Sequence, residues 1–300
     1  MSLLERLRSE LQIRSLVEER LQELWTPVPV GSAHEWAKNR KYPLSASIPG
    51  TRDPGITPYI IAFTQFFSDD RYEIGVMVTG TQMSKTDGML DVIGWRLDTR
   101  PRPILYVGPS QKFVEDQFEP RLMKLFDEAE TLKGRVLRGR NEKKTLKTVN
   151  GVSVRLAWAG SETSLSSDQA GDVFIDEYDK MISSLRKTGD AFTLAKARAD
   201  SYRGTRKIAV TSTPKRGRVD VEKCRRGSGL EFWKVAEPAK LESPTWLKWQ
   251  QGTRHHFAWK CPHCAKWFIP RMRYLVTPPG ATPVIARRLV VAGMGDAPGF

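Results

Sequence analysis

Five short apolar runs, separated by helix-like stretches, constrain the fold of this chain more than any other feature of its sequence. The runs are IGVMVTG (74–80), PILYVGPS (103–110), VSVRLAWAGS (152–161), VFIDE (173–177) and KIAVTSTP (207–214). Helix-like stretches at 85–96, 113–132 and 185–203 separate most of them. Apolar strands that alternate with helices predict an α/β fold, with a mostly parallel central sheet flanked by helices.

The polar residues that follow these runs are predicted to meet at one edge of the sheet. In open parallel sheets, ligands bind at the carboxyl ends of the strands. The residues at these ends are Lys85-Thr86, Ser110, Ser161, Asp176-Glu177 and Ser212-Thr213. Their convergence is better evidence for a ligand site than any one of the segments alone.

The charge of the chain indicates a polyanionic partner. The 300 residues carry a formal net charge of +14, which is typical of nucleic-acid-binding proteins, although a generically basic protein is the alternative. No apolar run reaches the length of about 18 residues that a membrane-spanning helix needs. The charged N-terminus does not resemble a signal peptide, and the three cysteines favour a reducing compartment. We therefore expect an intracellular protein with no membrane association.

The segment TGTQMSKT at 79–86 has the layout of a phosphate-binding loop between a strand and a helix. The template G-x-x-x-x-G-K-[ST] is met at Lys85 and Thr86, but Thr79 and Ser84 stand where glycines are expected. A serine with positive φ at position 84 would cost about 1 kcal/mol or more. The alternative is an ordinary strand-turn-helix that binds nothing.

The run VFIDE places two carboxylates at the end of a predicted buried strand. Asp176 is a candidate Mg²⁺ ligand, and Glu177 is a candidate general base for the attacking water. A polar strand terminus is the alternative interpretation. Taken together with Lys85, the pair favours a nucleotide site.

Two further segments carry weaker signals. The run KIAVTSTP resembles the segment that couples hydrolysis to movement in motor ATPases. The CPHC at 261–264 is half of a zinc ribbon, so Cys261 and Cys264 are candidate zinc ligands. Cys224 and the histidines at 255, 256 and 263 could complete the site, but their spacing is poor.

Over residues 33–272, the chain resembles the large terminase subunits of tailed phages, in the lambda-like GpA branch. The resemblance rests on the order and spacing of TPYIIAF (57–63), TGTQMSKTDG (79–88), PILYVGPS (103–110), AGSETSL (159–165), VFIDEYDK (173–180), Ala195-x-x-Arg198, KIAVTSTP (207–214) and CPHC (261–264). These proteins are DNA-packaging motors.

The resemblance implies a P-loop NTPase of the ASCE, RecA-like class, with an extra strand between the two Walker motifs. It implies catalytic roles for Lys85 and Glu177, Mg²⁺ ligands at Thr86 and Asp176, and a coupling motif at Ser212, Thr213 and Pro214. The implied ATP-binding residues are Thr79, Gly80, Thr81, Gln82, Met83, Ser84, Lys85, Thr86 and Tyr59. Arg198, Arg203 and Arg206, or a neighbouring subunit, are the candidate sources of a transition-state arginine.

The predicted organisation has four parts: an N-terminal helical arm at 1–32, the ATPase domain at 33–232, a Trp-rich segment with the CPHC at 233–274, and an atypical tail at 275–300. Full-length relatives continue into a nuclease domain, so the resemblance implies endonuclease activity only for them. We expect a truncated or frameshifted form that lacks the nuclease.

The resulting expectation is an ATP-hydrolysing motor that translocates double-stranded DNA in the cytoplasm of the bacterial host. By resemblance, its partners are the small terminase subunit and the portal or procapsid, and it is a homo-oligomer when active. The alternative is a catalytically inactive prophage remnant that binds nucleic acid.

Overall fold

A computed structural model describes residues 31–137, 139, 143–166, 168–181, 189–224, 230–261 and 264–270. Residues 1–30 of the predicted helical arm and the atypical tail at 275–300 lie outside the described residues. The predicted boundaries of the ATPase domain and the Trp-rich segment stay predictions.

The described helices are short except for one. They are α1 (Ala33–Trp36), α2 (Pro58–Gln65), α3 (Lys85–Thr99), α4 (Gln111–Phe113), α5 (Glu119–Glu128), α6 (Glu162–Ser166), α7 (Ala191–Arg198) and α8 (Pro244–Gln251). A π-helical turn, Val114–Phe118, joins α4 to α5.

The strands form one large sheet and three small hairpins. The sheet contains β3 (Ile74–Val78), β4 (Ile104–Gly108), β5 (Leu146–Val149), β6 (Val152–Trp158), β7 (Asp172–Asp176) and β8 (Lys207–Ser212). The hairpins pair β1 (Lys41–Tyr42) with β2 (Gly50–Thr51), β9 (Val221–Lys223) with β10 (Glu231–Trp233), and β11 (Trp259–Lys260) with β12 (Trp267–Phe268).

The six-stranded sheet has the order β3-β8-β7-β4-β6-β5. Strand β4 is parallel to both β6 and β7, whereas β5 is antiparallel to β6 at one edge. Strand β8 lies between β3, which leads into the phosphate-loop segment, and β7, which ends in the carboxylate pair. The order confirms the predicted α/β fold, including the extra strand between the two motifs.

Every residue of β4, β7 and β8 is buried. Central parallel strands are covered on both faces, which explains why they read as continuous apolar runs rather than as alternating patterns. Aromatic side chains fill the adjacent core: Phe67 stacks on Phe174 at 5.2 Å, and Tyr106 stacks on Phe118. The parallel register, with Tyr106 beside Phe174, aligns the carboxyl ends of β4 and β7.

Two glycines within α3 allow close packing of the neighbouring helices. A Cβ at Gly88 would lie 2.5 Å from the Ile60 side chain of α2, and one at Gly94 would lie 2.0 Å from Trp36 of α1. Glycine in a helix interior costs about 1 kcal/mol relative to alanine. Here the close approach of α1 and α2 offsets that cost and holds α3 in place.

A buried ion cluster joins α3 to the segment that precedes α2. The Asp91 carboxylate of α3 accepts hydrogen bonds from Arg40 at 2.5 Å and from Arg52 at 3.2 Å. Arg40 also pairs with Glu128 at the end of α5. All four side chains are nearly inaccessible to solvent, so each charge depends on its partners for compensation.

The chain divides into two compact units: residues 31–75 with 82–210, and residues 76–81 with 211–270. In the second unit, an aromatic cluster supports α8, because Trp246 makes edge contacts with Trp233 and Trp249 at 5.1 and 5.2 Å. Ser243 caps this helix by accepting a hydrogen bond from the Trp246 N–H.

Among the helices that the structure describes, none has the length and apolar character required to cross a lipid bilayer.

Candidate functional site

The loop that leads into α3 has the left-handed backbone that its template reserves for glycine. Ser84, the N-cap of α3, has φ 52° and ψ 22°, and Gln82 also has a positive φ of 57°. A non-glycine residue in this region costs about 1–3 kcal/mol. The backbone conformation required of a phosphate loop is therefore adopted here by a serine, at an energetic cost.

The first unit brings together Thr86 and Asp176, the two candidate Mg²⁺ ligands. The Thr86 hydroxyl at the start of α3 donates to Asp176 Oδ2 at the end of β7, over 3.0 Å. The Asp176 side chain is fully buried. A hydroxyl and a carboxylate at this separation offer the oxygen atoms that Mg²⁺ prefers, so the donor set fits the ion that the sequence predicts.

Tyr106 is a site residue that the sequence reasoning missed. Its hydroxyl donates to the same Asp176 Oδ2 at 3.2 Å, from the middle of β4. The ring is completely buried against Phe118, and burial, with the Asp176 charge as a further cause, raises the Tyr106 pKa well above its usual value. The neutral hydroxyl therefore remains a hydrogen-bond donor that holds the carboxylate. A polar side chain inside a fully apolar strand was the available signal, since a buried hydroxyl needs a partner.

The candidate base Glu177 lies between two ammonium groups. Lys85 Nζ lies 3.9 Å from Glu177 Oε1, and Lys180 Nζ lies 2.9 Å from Oε2. The Lys85 side chain is only 5% exposed, and burial lowers its pKa, opposed by the charges of Glu177 and Asp176. The structure thus gathers the predicted lysine and both carboxylates at one edge, together with Lys180, which the sequence reasoning did not assign.

Glu177 itself has a left-handed backbone, with φ 55° and ψ 45°. The residue follows directly after β7 and precedes a 3₁₀ turn, Tyr178–Lys180. Strained backbone at the end of a strand is a recurrent property of functional residues. The turn also brings the Lys180 side chain into contact with Glu177, three residues earlier in the chain.

Tyr59 of α2 lies beside the loop. Its hydroxyl contacts Met83 Sδ at 3.9 Å. Burial raises the Tyr59 pKa, while Arg52 and a hydrogen bond with Ser84 lower it. The structure therefore places Tyr59 against residues 83 and 84, and its role near the base of the nucleotide stays a prediction.

Ser110 and Ser161, which follow β4 and β6, have local structural roles. The Ser110 hydroxyl accepts from the Phe113 N–H at 3.2 Å, and the Ser161 hydroxyl accepts from the Ser164 N–H at 3.2 Å. Each serine therefore caps the start of a helix. Ser110 also lines a cavity of about 350 Å³ together with Lys180, at the same end of the sheet as Glu177.

The start of the loop and the predicted coupling motif meet in the second unit. The Thr79 N–H donates to the carbonyl of Ser212 at 3.3 Å. The Thr79 hydroxyl contacts the carbonyl of the next residue, Gly80, at 3.1 Å. A displacement of Ser212 would therefore act directly on the first residue of the loop, which leads on to Thr81.

The three arginine candidates lie at the opposite edge of the sheet. Arg206 precedes β8 and pairs with Glu73 at 3.1 Å and with Asp200, while Arg203 also lies near Asp200 at 3.9 Å. The Arg198 carbonyl accepts from the Ala170 N–H, before β7 begins. Because β7 rises about 3.3 Å per residue, these positions are about 15 Å or more from Asp176. None of the three is placed to contact a nucleotide at the carboxyl edge.

The candidate zinc ligands lie between β11 and β12. The Cys261 N–H donates to the Lys266 carbonyl at 2.8 Å, and among the described residues neither Cys261 nor Cys264 forms a disulfide bond. Within the described ranges, no group of three or more His, Cys, Asp or Glu side chains could hold a metal ion. His263 lies outside those ranges. Two thiols do not complete the four ligands of a structural zinc site, so zinc binding stays a prediction.

Strand β3 leads through a phosphate-type loop into helix α3. The acidic pair follows β7, which is separated from β3 by β8. This arrangement defines an α/β domain of the P-loop NTPase class. The family profile of the phage terminase large subunit gpA, ATPase domain, matches residues 46–289. Because the match covers most of the chain, the protein belongs to this family.

Solved structures of large terminases show a distant likeness. The large terminase of bacteriophage HK97 has a TM-score of 0.48 and 13% identity, with 62% of this chain and 38% of that chain covered. The ATPase domain of the Thermus phage P74-26 large terminase has a TM-score of 0.34 and 16% identity, with 49% and 61% covered. The chain thus spans less than two thirds of the length of either. No curated protein matches it.

Proposed function

We propose that this chain is the ATPase motor domain of a phage or prophage DNA-packaging terminase, which hydrolyses ATP to translocate double-stranded DNA. One observation carries the proposal: the Thr86 hydroxyl and the Asp176 carboxylate are 3.0 Å apart, beside the buried Lys85 ammonium and Glu177. Family membership supports the same chemistry. These are the groups that a magnesium nucleotide requires at one place.

Lys85 neutralises charge on the β- and γ-phosphates of ATP in this proposal. Its ammonium is almost fully buried and lies 3.9 Å from Glu177 Oε1. Burial lowers the Lys85 pKa, whereas the charges of Glu177 and Asp176 raise it. A phosphate beside this ammonium would likewise favour its charged form.

Thr86 and Asp176 are the residues that would hold Mg²⁺. The bound ion supplies charge stabilisation for the phosphate oxygens. Tyr106 serves this pair by fixing the orientation of the Asp176 carboxylate through its hydroxyl. Hydrogen-bonding groups of this kind behind a metal ligand commonly matter for metal affinity.

Glu177 acts as the general base that accepts a proton from the attacking water. Its carboxylate is held by Lys180 at 2.9 Å, so the base starts in an ion pair at the edge of the site. Tyr59, whose hydroxyl lies at the loop, supports the base of the nucleotide. The loop residues 80–84 supply backbone N–H groups for the phosphates, while the Thr79 N–H donates to Ser212.

The arginine that offsets transition-state charge comes from a neighbouring subunit. Support for this is the placement of Arg198, Arg203 and Arg206 at the amino edge of the sheet. It follows that the active form is a homo-oligomer in which each site is completed by its neighbour. We further propose that Ser212, Thr213 and Pro214 couple hydrolysis to movement, because Ser212 binds the first loop residue.

Duplex DNA is the proposed translocation substrate, supported by the net charge of +14. Contacts to DNA phosphates make binding weaken steeply as salt rises. The proposed partners are the small terminase subunit and the portal or procapsid, and the proposed location is the cytoplasm of the bacterial host.

The test is DNA-stimulated ATP hydrolysis by the full chain and by Lys85→Ala and Glu177→Gln. The motor proposal requires turnover in the wild type that both substitutions abolish. Glu177→Gln should still bind ATP, because only the base is lost, and this separates a catalytic defect from misfolding. Absence of turnover in all three proteins, with DNA binding intact, would instead identify an inactive nucleic-acid-binding remnant.

A further inference from the structure

The β11–β12 hairpin exposes a tryptophan next to a lysine. In its antiparallel register, Lys260 pairs with Trp267, and Trp259 pairs with Phe268. Cross-strand partners share a face of a hairpin, so Trp267 and Lys260 lie on one face, which we term the Lys260–Trp267 face. On the other face, Trp259 makes edge contacts with Phe257 and Phe268 at 6.2 and 6.3 Å.

Trp267 and Trp259 are the largest apolar side chains of the hairpin. Trp267 is nevertheless 59% exposed, and Trp259 is 47% exposed. A tryptophan held in water on a paired strand loses the free energy that burial would provide. Burial of the Trp267 ring against a ligand would recover that free energy, so the exposed indole is a candidate contact surface. Beside this pair, the Cys261 N–H donates to the Lys266 carbonyl, and Ala265 has a positive φ of 56°.

The chain segment that carries this face is basic. Residues 243–270 contain no Asp or Glu, and their basic residues are Lys248, Arg254, Lys260 and Lys266. Lys260, on the same face as Trp267, is exposed. A surface that combines an exposed indole with an exposed ammonium group is complementary to a ligand with flat aromatic groups on an anionic backbone.

We propose that the Lys260–Trp267 face binds single-stranded DNA. A base stacks on the Trp267 ring, while Lys260, on the same face, contacts a flanking phosphate. In a duplex, both faces of each base are covered by neighbouring base pairs, so the indole contact is open only to an unpaired strand. The face therefore discriminates strand state rather than sequence, since every base has an aromatic face.

The test uses the full chain without nucleotide, so its outcome is independent of the proposed ATPase activity. Fluorescence anisotropy measures binding to a labelled oligothymidylate and to a duplex of the same length. Trp267→Ala should weaken binding to oligothymidylate by about five- to 100-fold, and Trp267→Phe, which keeps an aromatic ring, by less. Affinity for the duplex should be unchanged.

The charged contacts have a separate signature. Lys260→Gln should reduce the slope of log K against log salt for oligothymidylate by about 0.7, the value for one phosphate contact on a single strand. Lys240→Gln is the matched control, because it removes one charge from another exposed lysine of the same unit. It should leave the slope unchanged.

Three results would overturn the proposal. Trp267→Ala could leave oligothymidylate binding unchanged, or weaken single-strand and duplex binding by the same factor. Alternatively, sedimentation could show that the substitution converts an oligomer into a monomer without affecting DNA, in which case the face is an interface between copies of the chain. Thermal unfolding of each variant verifies that it is folded.

Discussion

The Thr86 hydroxyl lies 3.0 Å from a carboxylate oxygen of Asp176, although 90 positions separate the two residues in the chain. One side chain belongs to the first turn of α3, and the other ends β7. The relationship joins the two halves of the candidate nucleotide site.

Replacing Thr86 tests whether its hydroxyl serves as a ligand. Thr86→Val keeps the shape of the side chain but removes the oxygen, and should lower magnesium-dependent ATP turnover by about 100-fold or more, because metal-derived charge stabilisation is worth several kcal/mol. Thr86→Ser keeps the oxygen and should retain most of the turnover. Equal activity in the two variants would show that the hydroxyl has no such role.

Tyr106→Phe removes only the hydroxyl that holds Asp176. We expect the Mg²⁺ concentration for half-maximal turnover to rise about tenfold or more, the usual effect of losing a group that orients a metal ligand. The free energy of unfolding should fall by about 1.5–3 kcal/mol, since a buried hydrogen bond to a charged group is lost.

The matched control for Tyr106→Phe is Tyr178→Phe, which removes a hydrogen bond from Tyr178 to Asp190 of 2.7 Å. This control should lower stability but leave the magnesium dependence unchanged. If both variants shift the Mg²⁺ concentration for half-maximal turnover equally, that shift is only a consequence of destabilisation.

Ser84→Gly should stabilise the protein. The serine has φ 52°, and relief of this strain is worth about 1 kcal/mol, partly offset by the greater freedom of glycine in the unfolded chain. Chemical denaturation measures the change. Ser243→Gly, the same substitution at a helix cap with φ −89°, should destabilise instead.

ATP turnover of Ser84→Gly should remain within about tenfold of the wild type. Activity that appears only in this variant would identify Ser84 as an inactivating residue.

Asp91→Ala should destabilise the first unit by about 3–5 kcal/mol, because it leaves the buried Arg40 and Arg52 without their shared partner. Denaturant-induced unfolding gives the value. The control is Asp69→Ala, which breaks the exposed pair with Arg71 and should have no measurable effect. Similar losses in both variants would mean that the buried cluster contributes no more than a surface pair.

Much of the fold follows from the sequence because parallel strands are buried on both faces and therefore stand out as apolar runs. Each of the five runs contains a strand of the sheet. Strand β5 was missed, since Leu146–Val149 has two polar residues between its two apolar ones, lies within a basic stretch and pairs antiparallel at the sheet edge. The two-residue strands of β1, β2, β11 and β12 are too short to form a pattern.

The sequence predicted those site residues that are adjacent in a motif. It did not predict those that only the tertiary structure brings together. Ser84 was identified as the position where positive φ would matter, and the structure has it there. Tyr106 and the Arg52–Asp91 pair were missed, because nothing local marks a partner 39 or 70 positions away. Arg198, Arg203 and Arg206 lie at the amino edge of the sheet, and the source of a transition-state arginine, for which a neighbouring subunit was the other candidate, stays a prediction.

The most direct test of the central claim is calorimetric titration of magnesium ATP into the full chain and into Lys85→Ala. Our account predicts saturable binding of one nucleotide per chain in the wild type, with no detectable heat for Lys85→Ala, while both proteins unfold cooperatively. Absence of binding in the wild type, or equal affinity in the variant, would contradict the assignment of a nucleotide site to this edge of the sheet.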